Sequence, residues 1–529
     1  MPAIGATLAL LAATGVIAAS FSGKDSACPR RKLLLWAGSV VTCAFLLFYT
    51  YASVRTRDRL EWKAALPPRE VTLEMTVQAI YKTDNFGNQR GIARVRKAPA
   101  IQQYLEGQQL LYKIRGDITA REGATLRVKG LIRRKPLDAA ADSFDAWLRR
   151  NEIYFDLYRA HILEETAPPS RNATTMLAVR GWMRDRLLEG SDKLLSIRAM
   201  VPAMLLGEKQ LLSPDDKALF KETGMLHLFA VSGLHVCLVA LTLEGLLAAF
   251  RLPKAPRILV AQAALIGYIW VIGAPPSAVR AFLMILFHRS ASLAGRPSRG
   301  LPALAGSAVA VLVYDPRQLF DIGAQLSYGI VAGIMLYGMP LAQLIKEKTQ
   351  LYEDLPPQNL TLPHKGMLKA RDWLADSIAT GLGAFLVAMP LSVQYFGNFA
   401  PGSLLLNLLM APFALLSAVA SVLTILAAGV ALMPGLGWMG TVGVFFNHAD
   451  WLCAWEMQGI IAAVDQVPFL FHTLKSPAWW TGGAASVTIL ACMSLKGKPR
   501  TLTNKLWLIG PPVTLAMYIA LCLILRHPA

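Results

Sequence analysis

Twelve stretches of this 529-residue chain are apolar enough to be read as membrane-crossing helices, and no other feature limits its fold as tightly. A backbone in hydrocarbon must satisfy its own N–H and C=O groups, so such segments become helices packed in a bundle. They cover residues 3–21, 33–52, 226–250, 258–273, 278–294, 301–314, 322–345, 373–395, 404–429, 439–464, 478–495 and 506–525. The stretches 258–273 and 301–314 fall short of the roughly 20 residues a span needs and are expected to be broken or partly re-entrant. With 54% hydrophobic and 16% charged residues and a mean hydropathy of +0.42, the chain reads as a polytopic α-helical membrane protein. Its apolar start lacks a basic leader and runs at once into a second apolar stretch, so it is read as a retained helix rather than a cleaved signal.

Lysine and arginine set the expected orientation. They gather in residues 22–32, 251–257, 295–300, 346–372 and 496–505, which all fall on one side if the twelve segments alternate. That side is the expected cytoplasmic one. Both termini, the turn at 273–276 and the long segment 53–193 are then expected outside.

The outer segment reads as strands. Residues 71–83, 92–98, 110–116 and 125–135 alternate apolar with polar and are separated by turn residues, a pattern that suggests a small barrel of the OB kind. Between Val71 and Lys135 there are thirteen Lys/Arg and five Asp/Glu, an excess of eight positive charges that a positive-inside bias cannot explain on the outer side. Tyr81, Phe86, Tyr104 and Tyr112 interleave with these charges. A single-strand groove needs both kinds of group, cations on phosphate and rings on bases. The candidate DNA-binding set is Arg94, Arg96, Lys97, Lys113, Arg115, Arg127, Lys129, Tyr81 and Tyr112; a solvated basic face around core tyrosines is the alternative. Beyond it, residues 144–158 and 175–195 read as amphipathic helices at the membrane surface, and Ser213–Pro214 as a helix start.

Polar side chains inside the apolar segments are costly and therefore informative. In "HLFAVSGLHV" (227–236), Ser232 and His235 fall on one helical face. In "GAPPSAVRAFLM" (273–284), two prolines keep the chain non-helical, Ser277 can cap, and Arg280 sits one turn into the next span. In "DPRQLFDIGAQLSYGIVAGI" (315–334), Asp315, Asp321, Gln325 and Ser327 surround the start of another span. Ser232, His235, Arg280, Asp321, Gln325 and Ser327 are the candidate channel-lining or bracing residues. The two aspartates are expected to pair with Arg280, Arg317 or backbone amides.

These three stretches resemble, in order and spacing, the signature segments of the ComEC-type competence membrane channels, and the likeness covers about residues 3–464. The resemblance implies an inner-membrane channel importing single-stranded transforming DNA, with membrane lipid, a separate nuclease and a cytoplasmic translocation motor or single-strand-binding protein as partners. With the span pattern it gives five expected sections: two transmembrane helices in 1–52, an OB-like outer-face domain in 53–170, amphipathic interfacial helices in 171–225, a competence-type channel domain in 226–464 and, beyond the likeness, two further spans in 465–529 read from hydropathy alone. Many relatives end in a metallo-β-lactamase-like nuclease whose metal site needs an H-x-H-x-D-H cluster. Past residue 400 this sequence has only His448, His472 and His527, so that domain, a metal and a cofactor are expected absent. The six cysteines show no C-x-x-C or ligand-like spacing. Two other readings stay open, an intramembrane hydrolase built on Ser232, His235 and Asp321, and a small-anion transporter with a broken helix at 273–277. Against the hydrolase, a serine and a histidine three apart on one helix are expected to diverge.

Overall fold

Strict alternation turns residues 69–83 into a strand: Val71, Leu73, Met75 and Val77 point inward and are almost fully buried, while the residues between them face out. In the computed structural model, which describes residues 48, 50–51, 68–83, 88–115, 120–134, 148, 151–190, 197, 199–229, 231–352, 361–467, 469–474, 476–478, 480–496 and 501–524, this strand opens a closed five-stranded barrel. The strands are β1 (Arg69–Thr83), β2 (Gln89–Lys97), β3 (Gln109–Ile114), β4 (Thr125–Arg134) and β5 (Phe155–Ala167). Their order around the barrel is β1-β2-β3-β5-β4, with β3 and β5 parallel and the other pairs antiparallel. One core, formed by inward residues such as Leu73, Met75, Leu110, Leu126, Val128 and Leu157, fills it.

The barrel closes through a strand the sequence pattern hides. Residues 155–158 were expected to continue an amphipathic helix, yet Phe155–Ala167 is β5. Its apolar residues suit either period, and pairing with both β3 and β4 decides the matter because it satisfies backbone groups on both edges. Leu148 and Ile153 instead cover Ile92 and Leu111 on the barrel's outer surface.

Helices follow: α1 (Arg171–Leu187), α2 (Met200–Leu206), α3 (Pro214–Glu222), α4 (Gly233–Ala249), α5 (Lys254–Val271), α6 (Pro276–Leu293), α7 (Gly300–Tyr314) and α8 (Ile322–Gly333). A π-helical turn, Ile334–Gly338, joins α8 to α9 (Met339–Lys348). Then come α10 (Leu362–Phe396), α11 (Gly402–Val430), α12 (Met439–Asp465), α13 (Thr481–Ser494) and α14 (Leu502–Ile524). Ser170 caps α1 through the Ala173 amide, and Ser213 caps α3 with Pro214 in its first turn, as its sequence predicts.

Among the described residues four helical segments are long and apolar enough to cross a membrane: Ile322–Lys348, Leu362–Phe396, Gly402–Val430 and Leu502–Ile524. Gly233–Ala249, Gly300–Tyr314 and Thr481–Ser494 are apolar but shorter. The two expected N-terminal spans lie outside the described residues apart from 48, 50 and 51. The expected span 226–250 is not one helix, because Met225–Phe229 forms a 3-10 turn and α4 starts only at Gly233. The stretch expected to lie as interfacial helices is partly interior. Every residue of α2 is buried, and Met183 and Leu187 of α1 join the same apolar core as α4, α11 and α12.

The chain divides into two units. Residues 310–320 group with the N-terminal residues, and the barrel and remaining helices form the other unit. Within the first, the Tyr51 hydroxyl donates to the Val313 carbonyl at 2.5 Å, and the Asp315 carboxylate accepts from the Arg317 amide at 3.1 Å.

Candidate nucleic-acid interface

The barrel carries a basic pocket where β2, β3, β4 and β5 meet. Register builds it: Arg90 on β2 lies opposite Lys113 on β3, and Arg133 on β4 opposite Asp156 on β5. The pocket has a volume of about 350 Å³ and is lined by Arg90, Leu111, Lys113, Arg115, Arg133, Asp156, Tyr158 and Arg159. Five cationic side chains therefore share it with one carboxylate. That carboxylate is engaged, since Arg133 donates to Asp156 from Nη2 at 3.0 Å and from Nε at 3.3 Å. The same guanidinium lies 4.8 Å from the centre of the Tyr158 ring, a cation–π contact that holds both groups at the wall.

A bulge aims the fifth cation. The pairing of β5 slips between Tyr112 and Ile114 of β3, and Arg159, within that slip, takes a left-handed backbone with φ 49°. A non-glycine residue there stores roughly 1–3 kcal/mol of strain. The return is a charged side chain at the pocket rather than a residue continuing the strand's alternation.

The structure sorts the expected DNA-binding residues into four groups. Lys113 and Arg115 line the pocket. Arg94, Arg96 and Lys97 are exposed further along β2, with Arg96 Nε donating to Thr76 Oγ1 at 3.1 Å. Arg127 and Lys129 are exposed on β4 but ion-paired, to Glu164 and Glu70, each at 3.2 Å. Tyr81 is 40% exposed, whereas Tyr112 is 0% exposed and points into the core, which corrects its reading as a stacking residue. Its place opposite Gly91 explains why: a side chain at Gly91 would meet the Tyr112 hydroxyl at 2.7 Å, so the strands close over the ring. Arg90, Arg133, Tyr158 and Arg159 were missed. Cross-strand register would have found the first two; the others were hidden because β5 was read as helix.

A second polar cluster sits at three helix starts. Ser232 is the N-cap of α4, not a residue within it. Its Oγ lies 2.9 Å from Nδ1 of His235 and accepts from the His235 amide at 3.4 Å. This corrects the expectation that the two side chains diverge, since a cap residue has extended backbone that turns its side chain back over the first turn. His235 is 1% exposed, and its Nε2 has no hydrogen-bond partner. Ser277 does not cap α6 as expected; its Oγ donates to the Val231 carbonyl at 2.7 Å and ties α6 to the break before α4.

Arg280, one turn into α6, is 3% exposed, with Nη1 3.9 Å from Asp321 Oδ2. Asp321 caps α8 through the Ala324 amide at 2.9 Å. Both partners match the expected pairing, and Gly323 leaves room for it: a side chain there would meet Asp321 Oδ2 at 3.0 Å and Arg280 Nη2 at 3.3 Å. Gln325 accepts from the Tyr395 hydroxyl at 3.3 Å, linking α8 to α10, and Ser327 is half-buried on α8. Asp321 thus serves both Arg280 and the start of α8. Neither described pocket is lined by Ser232, His235, Arg280, Asp321, Gln325 or Ser327.

Residues 204–499 match the family described as competence protein. ComE operon protein 3 of Bacillus subtilis (strain 168) is 24% identical over 382 residues, 72% of this chain and 43% of that protein. An Escherichia coli (strain K12) protein described as uncharacterized protein YcaI is 26% identical over 344 residues, 61% of this chain and 43% of its own length. Competence protein ComA of Neisseria gonorrhoeae is 33% identical over 144 residues, 26% of this chain and 21% of that protein. The chain spans less than half the length of these relatives. No solved structure matches it.

Proposed function

The chain belongs to the competence protein family, and from that premise we propose that it is a bacterial inner-membrane channel importing single-stranded DNA during natural competence. The observation that carries this reading is the pocket on β2–β5, where cations outnumber carboxylates by four. The strand 2–3 face is the surface on which OB-type barrels bind oligonucleotides. Arg90, Lys113, Arg115 and Arg159 would hold phosphates while Tyr158 offers a ring to a base. Stacking of that kind contributes roughly 1–3 kcal/mol per base and tolerates any sequence.

The barrel lies on the outer face in this proposal, where its charge concentrates a polyanion before it meets the bilayer. Its basic residues then need no topological explanation. In the membrane part, His235 and Arg280 would meet phosphates, while Ser232, Asp321 and Gln325 hold the helix starts in place. Both His235 Nε2 and Arg280 Nε lack hydrogen-bond partners and are free to donate to an anion. We read the protein as non-catalytic, relying on a separate nuclease to produce the strand and on a cytoplasmic motor or single-strand-binding protein to receive it.

The test is deletion of the gene followed by tracking of labelled DNA. Label stranded outside the inner membrane supports a channel. Label reaching the cytoplasm as in the parent strain rejects it.

A further inference from the structure

A buried carboxyl that belongs to neither cluster points to a second activity. Asp450 lies on α12, is 0% exposed and faces α11, where the hydroxyls of Ser417 and Ser421 donate one to each of its oxygens. Those serines are 1% and 2% exposed. Among the described residues no cation pairs with the carboxyl. A fully buried carboxyl without a counter-ion is costly to keep, and two helices could be joined more cheaply by apolar packing.

The surroundings differ on the two sides of Asp450. One turn toward the start of α12 is Asn447, 1% exposed, which donates from Nδ2 to the Arg186 carbonyl at 2.6 Å and whose Oδ1 has no partner. One turn past Ser421 on α11 is Thr424, which donates to the Gly443 carbonyl at 3.2 Å. Thr424 and Gly443 line a pocket of about 480 Å³ with Arg186, Glu189 and Thr441. Gly443 is two helical turns from Asp450, roughly 10 Å along the axis. Ser421, Thr424 and Asn447 thus make a column of polar side chains on the pocket side of the carboxyl. On the other side lie Met410, Ala414, Ala454, Met457 and Ile461, each at most 2% exposed, and the column ends in packed apolar side chains.

We propose that Asp450 is a proton-binding site, loaded and unloaded through this one-sided polar column, that makes DNA passage proton-dependent. The hydroxyls touch the carboxyl directly and leave no gap for a metal ion, so the species that fits is a proton. Uptake converts the carboxylate and one proton from water into the acid, and release reverses it. A carboxylate accepts from both serines, but the acid carries an O–H that must itself donate, so one serine hydroxyl changes from donor to acceptor and turns its own proton toward another acceptor. Loading therefore changes the hydrogen bonding that joins α11 to α12.

The titratable groups on the neighbouring helices can be named one by one. Neither α11 nor α2 contains a titratable side chain. Those of α3 are Asp215, Asp216, Lys217, Lys221 and Glu222, with Asp216 held by Gln458 at 3.2 Å. The other groups are Arg180, Arg184, Asp185 and Arg186 on α1, Glu189 at the pocket, His235, Cys237 and Glu244 on α4, and His448, Cys453, Glu456 and Asp465 on α12 itself.

The binding claim is tested without DNA, on the purified full chain in lipid vesicles, by infrared difference spectra between acid and alkaline buffer. A carboxylic-acid C=O band that disappears in Asp450→Asn supports it; an identical band in both proteins overturns it. Should Asp450→Asn fail to fold, Ser417→Ala and Ser421→Ala keep the carboxyl, and the band must then shift; an unmoved band again overturns the proposal. The coupling claim rests on the channel reading and is tested in cells. Loss of DNA uptake in Asp450→Asn at parental protein level supports coupling, whereas unchanged uptake overturns it. If the parent chain carries no DNA at all, the channel reading and the coupling fail while the infrared result still decides the proton site.

Discussion

Ser232 and His235 form a closed pair at the start of α4, with Oγ 2.9 Å from Nδ1 and the serine accepting from the histidine's own amide. The chain reaches this geometry by stopping the helix at Ser232, so that one residue caps and the other, three positions later, answers it. Removing an N-cap hydroxyl costs about 0.5–2 kcal/mol. Ser232→Ala is therefore expected to lower the melting temperature of the purified protein in detergent, and Ser232→Asp, which restores a cap acceptor, to recover much of the loss. Equal stability of Ser232→Ala and parent would mean that the break is held by Ser277 and the prolines alone.

Arg280 and Asp321 tie α6 to α8, and Asp321 also caps α8, so its two roles can be separated. Arg280→Ala leaves the cap intact and is expected to abolish uptake at a normal protein level. Asp321→Ala is expected to reduce the protein level as well, because it removes the cap. A double-mutant cycle should give a coupling of roughly 0.5–3 kcal/mol in thermal stability. Strict additivity would show that the 3.9 Å approach contributes nothing.

Arg159 yields a prediction with opposite signs in two assays. Its φ of 49° suits glycine, so Arg159→Gly should raise barrel stability by about 1 kcal/mol or more while weakening single-stranded DNA binding. Each lost phosphate contact should reduce the slope of log affinity against log salt by about 0.7. In contrast, Arg127→Ala and Lys129→Ala remove exposed residues already paired with Glu164 and Glu70, and both should stay within about 1 kcal/mol of parent in either assay. Strong binding defects in these two with none in Arg159→Gly would move the interface to the other side of the barrel.

Tyr112 holds a buried hydroxyl with no hydrogen-bond partner. Tyr112→Phe should leave the barrel equally or more stable, since the parent carries the desolvation cost of that group, about 1–3 kcal/mol. Burial, and then the Glu122 carboxylate, push the Tyr112 pKa up from its ordinary value of 10.0. The unfolded chain thus releases this proton first. Stability contributed by the neutral ring is complete below pH 10 and falls as pH rises above it, and Tyr112→Phe should flatten that alkaline slope in denaturant titrations.

Much of the fold is legible in the sequence where the signal is local. The alternation of Val71 to Val77 makes β1 plain, and uninterrupted apolar runs mark α10, α11 and α14 as helices. Ser213 before Pro214 announces α3. Local signals failed at β5, whose residues fit two periods and were decided by two partner strands, and at Ser232, where a helix face was expected across a cap. The site shows the same division. Lys113 and Arg115 could be named from charge and alternation, but Tyr158 and Arg159 join them only through a strand that returns from forty residues further on, and Tyr112 turned out to face the core.

Short-range patterns by themselves determined that this chain makes a basic barrel and a helical membrane bundle, because hydropathy, alternation and charge are properties of neighbouring residues. Tertiary structure alone decided which cations share a pocket, which serine meets which histidine, and that Asp450 rests between Ser417 and Ser421, about thirty residues away. Such contacts depend on strand register and on where helices start and cross, and those are fixed by packing across the whole molecule rather than by any stretch of it.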